Sequence, residues 1–199
     1  MRKIVLMGSV SLDGYMAGPD RELDWHRVDD EVHAYINDRV RSMGAFLNGR
    51  VMYELMADFW PTADADPAAG APVVDFAGIW RAMPKVVYSR TLEHADWNAT
   101  VVREVVPQEV RALKEQPGGD LLLGGADLSA TFLRLGLVDE FHLYIHPVVI
   151  GSGKRFFPTT EARSDLDLDL VETHTFGNGV ILLRHERSRH PRVSPAGSA

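Results

Sequence analysis

The sequence predicts an α/β domain built on a mostly parallel central sheet, with helices on both faces and an antiparallel hairpin at its C-terminal edge. Three observations predict it. Short β-rich runs alternate with helical patterns from residue 4 to about residue 135, the texture of parallel strands joined by right-handed crossover helices. The opening run, Ile4-Val5-Leu6-Met7, is continuously apolar, as in a strand buried on both faces. The last third instead alternates residue by residue, and Asn178-Gly179 stands between two β-like runs, a hairpin signal.

Each element follows from local chemistry. Strand texture over 4–11 gives way to Leu12-Asp13-Gly14-Tyr15 and Ala17-Gly18-Pro19-Asp20, whose turn residues predict a loop. Asp29-Asp30-Glu31 places acids at the start of a helix running to about Ser42, with Val32, Tyr35, Ile36 and Val40 as its apolar face. Ala45-Phe46-Leu47-Asn48 reads as a strand ending at Gly49-Arg50, followed by a helix over 51–57. The Ala/Pro/Asp-rich segment 61–72 predicts a surface loop, and a short helix follows over 73–82. Strands are expected at 85–89 and 100–102, and a helix at 107–115 stops at Pro117-Gly118-Gly119. A buried strand at 120–123 ends at Gly124-Gly125, and Asp127 or Ser129 is placed to cap the next helix, which reaches Leu135. In 140–146, Phe141, Leu143 and Ile145 alternate with His142, Tyr144 and His146, a strand with distinct faces. Asp165, Asp167 and Asp169 alternate with leucines as the wet face of an edge strand. One domain over 1–187 and a disordered tail over 188–199 are expected, without repeat or linker.

Composition narrows the function classes. The chain has 199 residues, 45% hydrophobic and 25% charged, with no cysteine and a net charge of −7. That excludes disulfides and thiolate chemistry, and it argues against general nucleic-acid binding, which needs a strong positive field. No run approaches the roughly 20 apolar residues of a membrane span. The N-terminal apolar run meets Gly8-Ser9 and Asp13 too early for a secretory signal. A cytoplasmic protein acting on a small molecule is expected.

In an open α/β sheet, ligands bind at the carboxyl ends of the strands. Three junctions there suit phosphate: Asn48-Gly49-Arg50, Ser89-Arg90-Thr91, and Leu123-Gly124-Gly125-Ala126-Asp127. Glycine lets an anion approach backbone N–H groups at a helix start, and arginine adds a charge-assisted bond. A glycine after a strand is more often only a turn, so it is the set of three that suggests a dinucleotide. The Rossmann G-x-G-x-x-G fingerprint is absent.

These residues also carry a resemblance. The segments Ser11-Leu12-Asp13-Gly14-Tyr15-Met16-Ala17-Gly18, Leu47-Asn48-Gly49-Arg50-Val51-Met52-Tyr53-Glu54, Phe59-Trp60-Pro61, Val87-Tyr88-Ser89-Arg90-Thr91-Leu92, Leu123-Gly124-Gly125-Ala126 and His146-Pro147-Val148-Val149-Ile150-Gly151-Ser152-Gly153 occur in this order. The chain thereby resembles the dihydrofolate reductase-like superfamily. It is most similar there to the reductase domain of bacterial riboflavin-pathway deaminase-reductases and its stand-alone relatives. The resemblance implies a dihydrofolate reductase-like fold and NADPH as cofactor. It implies that Gly49 and Arg50 contact cofactor phosphate, and that Ser89 and Arg90 read the adenosine 2′-phosphate. Gly124, Gly125 and Ala126 would cradle the pyrophosphate, and Val10, Ala17 and Gly18 would flank the nicotinamide. A homodimer is also implied.

On the substrate side, the resemblance places Trp25 and Asp24 beside the pocket and Asp30 where dihydrofolate reductases carry an acidic anchor. Asp30 or Asp13 is then the candidate catalytic carboxylate. Asp30 equally suits an acidic helix start, and Asp13 a turn. The Leu23-Asp24-Trp25 segment departs from the usual apolar-proline-tryptophan, and Arg21, His26 and Arg27 are a thin set for a sugar phosphate. The expected activity is hydride transfer from NADPH to a small heterocyclic or carbonyl-type acceptor. The rivals are an NADPH-binding sensor without turnover and a protein that only dimerises through the His142–His146 strand. That histidine stripe suits a partly polar packing face or a subunit interface, and not a metal, because four residues of strand span roughly 13 Å.

Overall fold

A computed structural model describes residues 1–157 and 166–188. Asp165 and the tail positions 189–199 lie outside the described residues. Ser188 is held by its N–H to Asp167 O at 2.9 Å. In chain order the elements are β1 (Ile4–Ser11), β2 (Tyr15–Ala17), α1 (Asp30–Arg41), β3 (Ala45–Gly49), α2 (Arg50–Phe59), a 3-10 helix over Trp60–Ala65, and α3 (Ala71–Ala82). They continue with β4 (Lys85–Tyr88), β5 (Ala99–Val102), α4 (Pro107–Glu115), β6 (Leu121–Gly124), α5 (Ala126–Arg134), β7 (Glu140–His146), β8 (Lys154–Arg155), β9 (Leu168–Thr175) and β10 (Ile181–Arg187).

The main sheet has the order β5-β4-β3-β6-β1-β7-β10-β9. Its strands are parallel from β5 to β7, and the Asn178-Gly179 hairpin adds β10 and β9 antiparallel. The expected architecture is therefore present. On one face Ile4, Leu6, Leu47, Leu121, Leu123 and Phe141 pack with Phe132 of α5. On the other, Val5, Phe46, Val87 and Leu122 meet Phe76 and Trp80 of α3. Each large apolar side chain so buried contributes on the order of 1.5–3 kcal/mol.

The acidic start of α1 divides its work. Asp29 caps the helix, accepting from Val32 N–H at 3.0 Å, and Glu31 accepts from Gly177 N–H at 3.0 Å, tying α1 to the hairpin turn. Asp30 is left exposed.

Three expectations are corrected, and one pair of alternatives is decided. The 61–72 segment is not simply a loop: Trp60–Ala65 winds into a 3-10 helix that buries Pro61 and Ala63, and α3 starts at Ala71 behind Gly70. The loop after β1 contains a strand, because Tyr15 and Ala17 pair with Arg155 and Lys154. The cap of α5 is neither Asp127 nor Ser129 but Gly125, at φ +92° and without a side-chain bond. A left-handed turn is needed there, and Asp127 instead pairs with Lys154 at 2.5 Å. Finally, of the two readings of the β7 stripe, a packing face or a subunit interface, the structure shows the packing face. His142, Tyr144 and His146 are at most 3% exposed, because β1 and β10 flank the strand and α1 covers that face.

Two buried polar groups show how the fold satisfies charge. Lys85, 1% exposed, donates to the carbonyls of Trp80 (2.5 Å), Met83 (2.8 Å) and Trp97 (2.8 Å). Its ammonium also lies 4.1 Å from the Trp80 ring centroid, so it closes the C-terminal end of α3. Burial pulls its pKa down to about 8, still protonated at neutral pH. Glu140 is the second, and it joins Lys3, His142 and Arg184 at the opposite end of the sheet from the strand termini that form the site.

Candidate active site

The carboxyl ends of β4, β3 and β6 lie side by side, since Gly49 is in register with Tyr88 and Asn48 with Gly124. The three phosphate-suited junctions thus line one groove, spanning two interstrand spacings or about 10 Å. Two helices start in it. Neither α2 nor α5 has a side-chain cap, and their N-caps are Gly49 and Gly125. Their first N–H groups are therefore left for a ligand. Gly125 cannot carry a side chain cheaply: its φ is +92°, and a Cβ would lie 3.3 Å from Met52 Cβ. Arg50 is exposed and pairs along its helix with Glu54 at 3.1 Å, a surface pair weak enough for an incoming phosphate to displace.

At the β4 end, Ser89 is buried, and its Oγ accepts from the N–H groups of Thr91 (3.2 Å) and Leu92 (2.9 Å). That turn presents Arg90 to solvent with no partner among the described residues. Arg103, just past β5, donates to Leu92 O at 2.7 Å and Ser89 O at 3.3 Å. Sequence reasoning missed Arg103. Its signal was the same as that of Arg90, an arginine directly after a β-rich run.

Beyond β6, the β2–β8 ribbon overhangs the start of α5. A pocket of about 430 Å³ lies between them, lined by Tyr15, Ala126, Asp127, Lys154 and Arg155 among others. The ribbon depends on Gly153, at φ +132°, where a Cβ would meet Ala17 O at 2.1 Å. Ala17 and Gly18 therefore sit at this end of the groove, with Gly18 N–H bonded to Glu22 O at 3.0 Å. Val10 lies near the end of β1 and is 5% exposed, in the core on the α5 side.

The other side of the sheet holds an apolar cavity of about 140 Å³ between the strands and helices α1, α2 and α3. Met7, Ile36, Met52, Met56 and Phe76 help to line it, and it reaches Gly124 in the groove. Trp60 closes on its wall, with its ring 4.4 Å from Phe76 and its Nε1–H on Met56 Sδ at 3.1 Å. Asn48 is the polar side chain in the lining, 5% exposed and without a hydrogen-bond partner among the described residues.

Trp25 lies in the segment leading into α1, edge-on to His26 (4.2 Å) and His146 (5.6 Å), whose imidazoles stack at 5.2 Å. His146 Nδ1 accepts from Arg27 N–H at 2.9 Å. Burial, with His26 and Arg27 as like charges nearby, pulls its pKa down to about 4. Its folded pKa is thus below the unfolded value near 6.5. The stability cost is absent above about pH 6.5 and accumulates as the pH falls toward 4. His26 is shifted the same way by its own burial. Thermal midpoints are therefore expected to fall over this window, and His146→Phe to flatten the decline; an unchanged slope would contradict the assignment.

The candidate carboxylates part ways. Asp13 accepts from Ser11 Oγ (2.7 Å), Gly151 N–H (2.8 Å) and Ile150 N–H (3.3 Å). The Ser11 bond, with the backbone donors, holds its carboxyl below the ordinary value, so it organises the turn and is poorly placed to give up a proton. Asp30 lies at the surface beside Gly70, at the start of α3. Asp24 is exposed. Neither Asp30 nor Asp24 lines the cavity. Among the described residues no group of three or more His, Asp or Glu is placed to hold a metal ion, and no helix is long and apolar enough to cross a membrane.

Comparison with known proteins fits this geometry. The sequence model of the RibD C-terminal domain family matches residues 2–182. The uncharacterized protein YyaP of Bacillus subtilis (strain 168) is 36% identical over 184 residues, which cover 90% of this chain and 92% of that protein. A putative riboflavin biosynthesis protein from Shewanella sp. PV-4 superposes with a TM-score of 0.69 at 19% identity, covering 94% of this chain and 99% of that one. The deaminase/5-amino-6-(5-phosphoribosylamino)uracil reductase of Thermotoga maritima superposes with a TM-score of 0.62 at 15% identity, covering 94% of this chain and 57% of that one.

Proposed function

The chain belongs to the RibD C-terminal domain family, with its reductase-type fold, and from that premise we propose that it is an NADPH-dependent reductase of a small heterocyclic or carbonyl-type acceptor. One observation carries the reading: three anion-suited junctions on adjacent strands, with Ser89, Arg90 and Arg103 gathered at one end of the groove. The residues fit a dinucleotide phosphate by phosphate. Uncapped N–H groups at Gly49-Arg50 and at Gly125-Ala126 would hold backbone phosphates. Arg90 and Arg103 beside Ser89 would hold a 2′-phosphate.

Bound NADPH supplies a hydride. The protein's part is to orient and to exclude water. The β2–β8 ribbon bounds the groove beyond Gly124, and the cavity lined by Met7, Met52 and Phe76 reaches the same glycine. A ring seated in that cavity would lie beside Gly124, next to the junction that would hold the cofactor. Of the two candidate carboxylates, Asp13 is committed to its turn, and Asp30, at the surface beside Gly70 and near His33, would reach an acceptor only through water.

The test is a fluorescence titration of the wild-type protein with NADPH, followed by a search for acceptor-dependent NADPH oxidation. Saturation at micromolar concentrations is expected, and its absence would contradict the reading. Binding with no oxidation across a broad acceptor panel would favour a sensor without turnover.

A further inference from the structure

The cavity between the sheet and helices α1–α3 says more about the acceptor than the groove does. Its walls are apolar except for Asn48, and among the described residues no lysine, arginine or histidine lines it. A dry apolar cavity of roughly 150 Å³ takes a ring the size of benzene, and this one measures about 140 Å³.

The three helices that wall it carry no unpaired cation either. Arg39 pairs with Glu172, Arg41 with Asp75, Arg50 with Glu54 and Arg81 with Asp64, and the helices contain no lysine. His33, against Trp60 and Phe76, is pulled below its ordinary pKa by burial, so it is neutral at pH 7. A phosphate or carboxylate brought into this lining would find no cationic side chain there among the described residues, and burying an ion without a countercharge costs several kcal/mol.

Asn48 is the exception that points to a ligand. It is 95% buried, lines the cavity, and has neither donor nor acceptor satisfied among the described residues. Its carboxamide is not among the fully sealed unpaired polar groups, so it faces the open space of the cavity, where a ligand can pair with it. The fold preserves room for it: a Cβ on Gly124 would lie 3.4 Å from Asn48 Oδ1. A carboxamide offers one acceptor and two N–H donors on a planar group. That edge pairs with a ring amide, its Nδ2–H donating to the ring carbonyl and its Oδ1 accepting from the ring N–H.

We propose that Asn48 is a specificity-determining residue and that the acceptor is a neutral, unphosphorylated six-membered ring with an amide edge. The proposal rests on the reductase reading only for calling that ring the acceptor; the binding site stands without it.

The methionines report the test. Met7, Met52 and Met56, three of the seven, line the cavity, so protein labelled with ¹³C at the methionine methyls can be titrated with 2-pyridone, benzene and uridine monophosphate. The expected result is saturable shifts of these three with 2-pyridone and with benzene. Asn48→Leu should weaken 2-pyridone roughly tenfold or more, as for a lost pair of hydrogen bonds, and leave benzene within a factor of about two. Asn48→Ser serves if the leucine variant does not fold. The proposal is overturned if 2-pyridone leaves the three methyls unmoved. It is equally overturned if Asn48→Leu weakens both rings alike or neither, or if uridine monophosphate binds there more tightly than 2-pyridone. NADPH binding, read separately by fluorescence on the same samples, decides the reductase reading independently.

Discussion

Glu140→Ala is expected to destabilise the protein by roughly 3 kcal/mol at pH 7, read as a lower urea midpoint with an unchanged slope. Glu140 is 3% exposed at the start of β7, where its carboxylate accepts from His142 Nε2 at 2.7 Å, Lys3 Nζ at 2.9 Å and Arg184 Nε. Removing it leaves Arg184 and His142 beside an empty site, and breaking a buried ion network in this way costs about 3–5 kcal/mol. The low end applies because Lys3 is 39% exposed and keeps Glu186 at 2.8 Å, so water and a second acid recover part of the loss. The pH dependence checks the sign. Burial alone would push the Glu140 carboxyl up, but the bonds from His142, Arg184 and Lys3 outweigh it and hold the group well below the ordinary carboxylate range. With the folded pKa below the unfolded value near 4.3, its contribution is full at neutral pH. It is lost only as the pH falls through the folded value. The gap between wild type and variant should therefore be constant from pH 7 to 5 and shrink in stronger acid. A gap that widens on acidification would contradict the network.

This network also shows where reading the sequence stopped. The alternation over 140–146 was visible, and so was the strand it forms. The alternate residues are polar, which reads equally as a partly polar packing face or as a subunit interface. They are buried because distant segments cover them: Lys3 and Arg184 join Glu140 and His142 at one end, and Trp25, His26 and Arg27 close over His146 at the other. Lys85 misleads in the same way: a lysine opening a strand looks solvated, and only the fold brings three carbonyls around it. The β2–β8 ribbon was invisible because pairing Ala17 with Lys154 is a contact between distant segments. Its one local trace was Gly153 in a Gly-Ser-Gly run.

The strand ends were more legible. Gly49, Ser89 and Gly124 each mark a change from β texture to turn chemistry, a local signal that needs no tertiary information. What local pattern could not supply was their adjacency, which depends on the order β4-β3-β6, or the arrival of Arg103 beside Ser89. The apolar cavity was less accessible still. Met7, Asn48, Met52 and Phe76 belong to four different elements, and methionine or phenylalanine at a core-facing position gives no sign of whether the space beside it is filled.

On the proposed reading the groove holds the 2′-phosphate of NADPH, and a second large effect follows. Arg90 is exposed, has no partner among the described residues, and follows a serine turn that Arg103 pins from the neighbouring strand end. A free guanidinium there adds charge-assisted bonds to a phosphate that NADH lacks. The decisive measurement is a fluorescence titration with NADPH and with NADH on wild type and on Arg90→Ala. Wild type should bind NADPH more tightly, and the substitution should narrow the difference by about 1–3 kcal/mol, roughly 5- to 150-fold in relative affinity, while NADH binding stays nearly unchanged. Equal affinity for the two cofactors in wild type, or an equal loss of both in Arg90→Ala, would contradict the account.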